Sequence, residues 1–146
     1  MTNPTALKFG YPQTTVAETG QWLVLVRPQQ PTAGSLVLVC KEQAQAFSEL
    51  SAAAFADLQA VVIGVERLLA RVVDYARINY LMLMMVDRDV HFHIIPRYDG
   101  ARELGGHYIP DAGWPGPPAL SEAVTLDAAA AAALAASLRG QWRAPA

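Results

Sequence analysis

Two short β-rich runs, Gln21-Trp22-Leu23-Val24-Leu25-Val26-Arg27 and Ser35-Leu36-Val37-Leu38-Val39-Cys40, flank a loop punctuated by Pro28, Pro31 and Gly34. That composition and spacing predict an antiparallel hairpin. Ser51 then supplies a hydroxyl cap for a helix running to about Val73. Phe55, Leu58, Val62, Val65, Leu69 and Val72 recur at steps of three and four, which predicts the core face of that helix. Gly64 inside it predicts close packing against a sheet. The run 78–86 is apolar at nearly every position and reads as a central strand buried on both faces. Asp87-Arg88 makes a tight connection to a strand over 90–95, halted by Pro96. The region after Tyr98 reads as irregular, and Trp114-Pro115-Gly116-Pro117-Pro118 excludes regular structure. Asp127 caps a last, alanine-rich helix ending near Gly140. The expected fold class is α+β: a mostly antiparallel sheet with one long helix packed on it and a C-terminal helix, in one domain over 1–146.

Composition narrows the function. The 146 residues carry 11 basic and 13 acidic side chains, a net charge of −2, which argues against electrostatic binding of a nucleic-acid polymer. A single nucleotide needs only a local pocket and stays possible. One cysteine, Cys40, suits a reducing compartment and reads as a buried thiol. Residues 1–10 lack an apolar core of signal-peptide length, and no apolar run is long enough to span a bilayer. The expected setting is cytoplasmic, with no membrane partner.

Only three histidines are present, and two lie in Asp89-Val90-His91-Phe92-His93-Ile94-Ile95-Pro96-Arg97. Alternate side chains of a strand share a face. Asp89, His91, His93, Ile95 and Arg97 therefore point one way, and Val90, Phe92 and Ile94 point into the core. Two imidazoles two residues apart stand roughly 7 Å from one another. Such a pair serves a half-exposed polar strand face, a metal site completed by Asp89 or His107, or nucleophilic attack on phosphorus. Spacing alone does not choose.

The segment 89–97 resembles the histidine triad (HIT) signature, His-φ-His-φ-His-φ-φ with φ apolar, often followed by Pro-Arg. The hairpin with its proline loop, Gly34, the long helix and Asn79 fall where that family has corresponding elements. The resemblance covers residues 20–98. It implies a nucleotide phosphohydrolase or nucleotidyl transferase acting at an α-phosphate, on a dinucleoside polyphosphate or a nucleoside phosphoramidate. His91 matches the nucleophile that forms a nucleotidyl-histidine intermediate, and His93 matches the phosphate-binding partner. Asn79, Asp89, Arg27 and Arg97 are the implied substrate-binding positions. The resemblance implies no cofactor and no metal, and a homodimer. A metal-dependent hydrolase using His91, His93 and Asp89, and a nucleotide-binding protein without turnover, are the alternatives.

The sequence departs from the family pattern at several positions. Asp89 stands where the first histidine belongs, and a carboxylate there is expected to repel a phosphate. Arg27 replaces an acidic or amide residue that binds ribose. Ser35 replaces a frequent histidine, and Met84-Met85-Val86-Asp87-Arg88 replaces the segment that usually contacts the leaving group. Arg88 is expected to pair with Asp87 or Asp89, the stretch 81–85 to be core, and His107 to face solvent. Trp22 and Trp114 are aromatic enough to form a base pocket or a subunit contact.

Overall fold

The expected hairpin is present: β2 (Trp22–Val26) and β4 (Leu36–Cys40) pair antiparallel in the register Trp22↔Cys40 to Val26↔Leu36. The computed structural model describes residues 3–145 and places this pair in a five-stranded antiparallel sheet, ordered β1-β2-β4-β6-β5. The outer members are β1 (Thr15–Glu18) and β5 (Arg77–Leu81), and β6 (His91–Arg97) lies between β4 and β5. Three helices complete it: α1 (Pro4–Lys8), α2 (Ala52–Val72) and α3 (Ala128–Gln141). The fold is therefore α+β, with the long helix and the C-terminal helix where the sequence puts them. No helix among the described residues is long and apolar enough to cross a membrane.

Both faces of the central strands are covered, which is why β2 and β4 are buried at every position. Trp22, Val24, Val26, Leu36, Leu38 and Cys40 pack with residues of α2 and α3 in the larger core. Leu23, Leu25, Val37 and Val39 pack on the other face with Ala6 and Phe9, beside α1. Since Val39 pairs with His91 and Val37 with His93, cross-strand alternation puts both imidazoles on the α1 face.

Several expectations are corrected. Residues 3–20, to which the sequence assigns no regular element, hold α1 and β1, with Asn3 capping α1 through Ala6 N–H and Pro4 at its first position. The loop between β2 and β4 contains β3 (Gln29–Gln30), which pairs with β9 (Val124–Thr125). After Tyr98 the chain forms a hairpin of β7 (Ala101–Leu104) and β8 (His107–Pro110) rather than irregular structure. The run 78–86 is not a central strand. Its first part is the sheet-edge strand β5, and the rest is loop, with Met85 and Val86 84% and 81% exposed.

Pro96 does not halt its strand. Val90 O accepts from Cys40 N and Arg97 O accepts from Ala76 N, so even-numbered backbone groups of β6 face β4 and odd ones face β5. Pairing with β4 ends at Leu36↔Ile94, so the Pro96 nitrogen points past the end of β4, where no hydrogen bond is lost. In α2 the buried face is Ala54, Val61, Val65, Leu68 and Leu69, whereas Phe55 is exposed and Leu58 and Val62 are half-buried. Gly64 admits the indole of Trp142, not the sheet: a Cβ there would stand 2.5 Å from the ring.

Candidate functional site

The stripe predicted from alternation forms. His91 and His93 lie on the α1 face of β6, their ring centroids 5.2 Å apart and their planes at 79°. Phe9, just after α1, sits 5.8 Å from the His93 ring edge-on and 6.4 Å from His91. Both imidazoles are buried in this packing, yet they line an open groove of about 220 Å³. Its walls are Lys8 and Phe9 from the α1 end, Arg27 and Gln29 from the proline loop, and 83–87 from the β5–β6 loop.

Each imidazole has its proton placed by its neighbour. His91 Nδ1 lies 2.6 Å from the Asp89 carbonyl oxygen. A carbonyl only accepts, so Nδ1 carries a hydrogen, and in the neutral ring the lone pair is on Nε2. His93 shows the opposite arrangement. Arg27 Nε donates to His93 Nδ1 at 3.3 Å, and a guanidinium only donates, so the His93 hydrogen is on Nε2. In this arrangement one neutral ring offers a lone pair at Nε2 and the other a hydrogen-bond donor at Nε2.

Burial, then the Arg27 charge, then His91, lower the His93 pKa from 6.5 to about 4. His93 is neutral in the folded chain across the range where it would be half-charged when unfolded. The unfolded chain therefore binds more protons between about pH 6.5 and 4, and stability contributed by neutral His93 is lost as pH falls through that window. Replacing Arg27 by methionine removes the second of those causes and leaves the first. The His93 titration, followed by NMR of its ring protons, is expected to move upward from about 4, toward but short of 6.5.

The remaining predicted positions separate into two groups. Arg27 is at the groove, anchored by a bond from Nη1 to Gln29 O at 2.7 Å. The wholly buried Gln30 amide holds its loop, donating to Arg27 O and Ser35 O and accepting from Gly34 N and Ser35 N. Asp89 is adjacent, but its carboxylate does not face the groove. Its Oδ2 accepts from Thr5 Oγ1 at 2.8 Å and from Thr5 N at 3.4 Å, which ties α1 to the strand. Those bonds hold the carboxylate on the α1 side, and it does not line the histidine groove. Asn79 and Arg97 share the sheet face with the histidines but are spent on the fold. Arg97 forms a buried bidentate pair with Asp111, bonds Gly116 O, and donates to Asn79 Oδ1 at 2.9 Å.

Other expected roles fall away on position. Trp22 is fully buried, its indole N–H donating to Ala54 O, so it walls no base pocket. His107 sits on the separate β7–β8 hairpin, bonded to Gly105 O. Asp87 pairs with Lys8 at 2.8 Å rather than with Arg88. The stretch 81–85 is core only in part: Met82 and Met84 pack against the larger core, while Leu83, Met84 and Met85 line the groove. Among the described residues no three His, Cys, Asp or Glu side chains group as metal ligands. Cys40 is buried in the core, which pushes its thiol pKa up.

Lys8, Phe9 and Asp87 were not among the predicted site residues. A signal for α1 did exist, since asparagine followed by proline is a helix-start pair. Nothing local says that this helix docks beside β6. A larger groove of about 450 Å³ lies on the other side of Asp89, but Glu42, Glu49 and Asp89 line it, which suits no phosphate.

An antiparallel sheet presenting a paired-imidazole strand, with a long helix behind it, defines an α+β protein with a two-histidine groove. Among solved structures, that fold is shared with histidine triad proteins. One from Sinorhizobium meliloti superposes with a TM-score of 0.72 at 20% identity, over 96% of this chain and 95% of that one. Another, from Bradyrhizobium japonicum, gives 0.70 at 23% identity over 88% and 90%. A hypothetical histidine triad nucleotide-binding protein from Sulfolobus tokodaii gives 0.63 at 19% over 87% and 81%. No protein-family model and no curated protein matches the chain. The chain has the histidine triad fold.

Proposed function

We propose that this protein is a nucleotide hydrolase or nucleotidyl transferase of the histidine triad type, working through His91. The observation that carries the reading is the bond between His91 Nδ1 and the Asp89 carbonyl, which in the neutral ring puts the lone pair on Nε2 of a residue lining the groove. Its lone pair attacks the α-phosphorus, the N–P bond forms, and the bond from phosphorus to the leaving group breaks with its electron pair on the leaving atom. The carbonyl stabilises the imidazolium that results. His93 donates its Nε2 hydrogen to a phosphate oxygen, and Arg27 behind it adds positive charge where negative charge is held. Water, or another acceptor, then breaks the N–P bond and releases the nucleotide. Asp89 supports the nucleophile through its backbone and α1 through its side chain. Asn79 and Arg97 keep β6 in place and are not assigned to substrate.

Incubation with dinucleoside polyphosphates and nucleoside phosphoramidates, followed by acid-free mass spectrometry, is expected to show a nucleotidyl adduct on His91. Nucleotide affinity without an adduct or turnover would leave a binding protein instead. Loss of turnover on chelation would favour metal-dependent hydrolysis.

The reading extends to a homodimer in a reducing, cytoplasmic setting. The outer edge of β5 ends the sheet, and beside it Leu38, Leu58, Val62, Tyr80 and Phe92 line an apolar groove. A second copy covering both is expected in sedimentation at micromolar concentration, and Leu58→Glu is expected to give monomer.

A further inference from the structure

Lys8 lines the histidine groove, where its ammonium makes one salt bridge and stands over the Phe9 ring, 5.6 Å from its centroid. It ends α1, its ammonium lies 2.8 Å from Asp87 of the β5–β6 loop, and the pair spans the groove from one wall to the other. The Lys8 side chain is half exposed, so its pairing with Asp87 is worth little and a stronger anion can take its place. Its position is set from elsewhere: Asn3 caps α1, Asp89 holds Thr5, and Phe9 packs against both imidazoles.

We propose that Lys8 is the residue that receives the charge of a phosphate leaving group, exchanging Asp87 for it when substrate binds. The proposal rests on the nucleotidyl-transfer reading above and names which leaving group it serves. The chemistry of the groove favours this choice. When His91 Nε2 bonds to phosphorus and a P–O bond breaks, the electron pair stays on the departing phosphate oxygen, which leaves as an anion and needs no proton. A departing amine needs one. His93 cannot readily supply it: its only ring hydrogen is on Nε2, with Nδ1 occupied by Arg27, and giving it up would leave an imidazolate. Its depressed pKa of about 4 agrees, since no second proton resides on the ring at neutral pH. Asp89, where a third imidazole would stand, is turned to Thr5. A leaving group that departs as an anion beside a mobile ammonium fits this groove better than one that must be protonated.

The test uses the full chain and two variants that a purely structural strap would make equivalent. Lys8→Met and Asp87→Asn both break the same salt bridge. If the bridge only holds α1 down, both lower activity and binding alike. If Lys8 receives the leaving group, the two act in opposite directions. Lys8→Met is expected to weaken binding of inorganic tripolyphosphate, measured by calorimetry, by about tenfold, and Asp87→Asn to tighten it. In turnover, Lys8→Met is expected to lower kcat/KM for a diadenosine polyphosphate by a similar factor of about ten, and that for adenosine phosphoramidate by much less. Lys8→Arg should restore most of the loss. Equal losses on both substrates, shifts of the same sign in both variants, or no tripolyphosphate binding by the wild type would overturn the proposal. An adduct on His91 with Lys8→Met indistinguishable from the wild type would overturn this proposal alone, whereas no adduct on His91 would overturn the nucleotidyl-transfer reading and the leaving-group role with it.

Discussion

The His91→Ala variant is expected to form no nucleotidyl adduct and to lose about four orders of magnitude or more in kcat/KM. The loss is large because the imidazole supplies the attacking nitrogen itself. No other side chain at the groove offers an unprotonated nitrogen, since His93 Nδ1 is already taken by Arg27. His93→Ala is expected to cost less, about 10²- to 10³-fold, because it removes one donor to the phosphate and leaves the nucleophile intact. Single-turnover kinetics with adduct detection separates the two, because only His91→Ala removes the intermediate itself. Near-UV circular dichroism and urea denaturation check that each variant keeps its fold. A His91→Ala protein that remains fully active would defeat the mechanism.

Asp111→Ala is expected to be the most destabilising single change outside the groove, at about 3–5 kcal/mol. Asp111 and Arg97 have side chains 0% and 5% exposed and meet through two short bonds, 2.7 and 3.1 Å. Asp111 Oδ2 also accepts from Tyr98 N–H. Alanine would leave a buried guanidinium with only the Gly116 carbonyl and the Asn79 amide oxygen as partners. Those are neutral acceptors and cannot replace a carboxylate. At this size the loss corresponds to a fall in Tm of about 10–16 °C. Urea denaturation measures it, and the paired Arg97→Met, Asp111→Leu variant is expected to recover much of the stability by removing both charges together. A loss under about 1 kcal/mol for Asp111→Ala would mean that the pair contributes no more than an exposed one.

How much of this was legible without coordinates depends on how local each feature is. The antiparallel hairpin of runs 21–27 and 35–40 follows from composition and a short loop, and its strands pair over 22–26 and 36–40. The helix after Ser51 is where the cap and periodicity put it, but its buried face is turned. Val61 and Val62, and Leu68 and Leu69, are apolar neighbours, so the helix has apolar residues on more than one side. Periodicity then admits two faces, and the sheet beneath decides between them. The run 78–86 failed for a related reason. An unbroken apolar string cannot distinguish a buried strand from a strand that leaves the sheet at Leu81 and lines a groove with Leu83 and Met84.

Pro96 shows the limit of residue-by-residue punctuation. A proline breaks a strand only if its nitrogen points at a partner, and here that partner has already ended.

The sequence by itself determined that His91 and His93 share a face, because side-chain alternation is a property of two adjacent peptide units. It also determined the α+β class, from one hairpin and one capped amphipathic helix. Only the tertiary structure decided what surrounds those imidazoles. Thr5 meets Asp89 across 84 positions of chain, Lys8 meets Asp87 across 79, and Arg27 meets His93 across 66. Those contacts set which ring nitrogen is protonated, where Asp89 points and which cation waits at the groove. They depend on how α1 and the proline loop pack against β6, and no local pattern encodes a docking between segments so far apart.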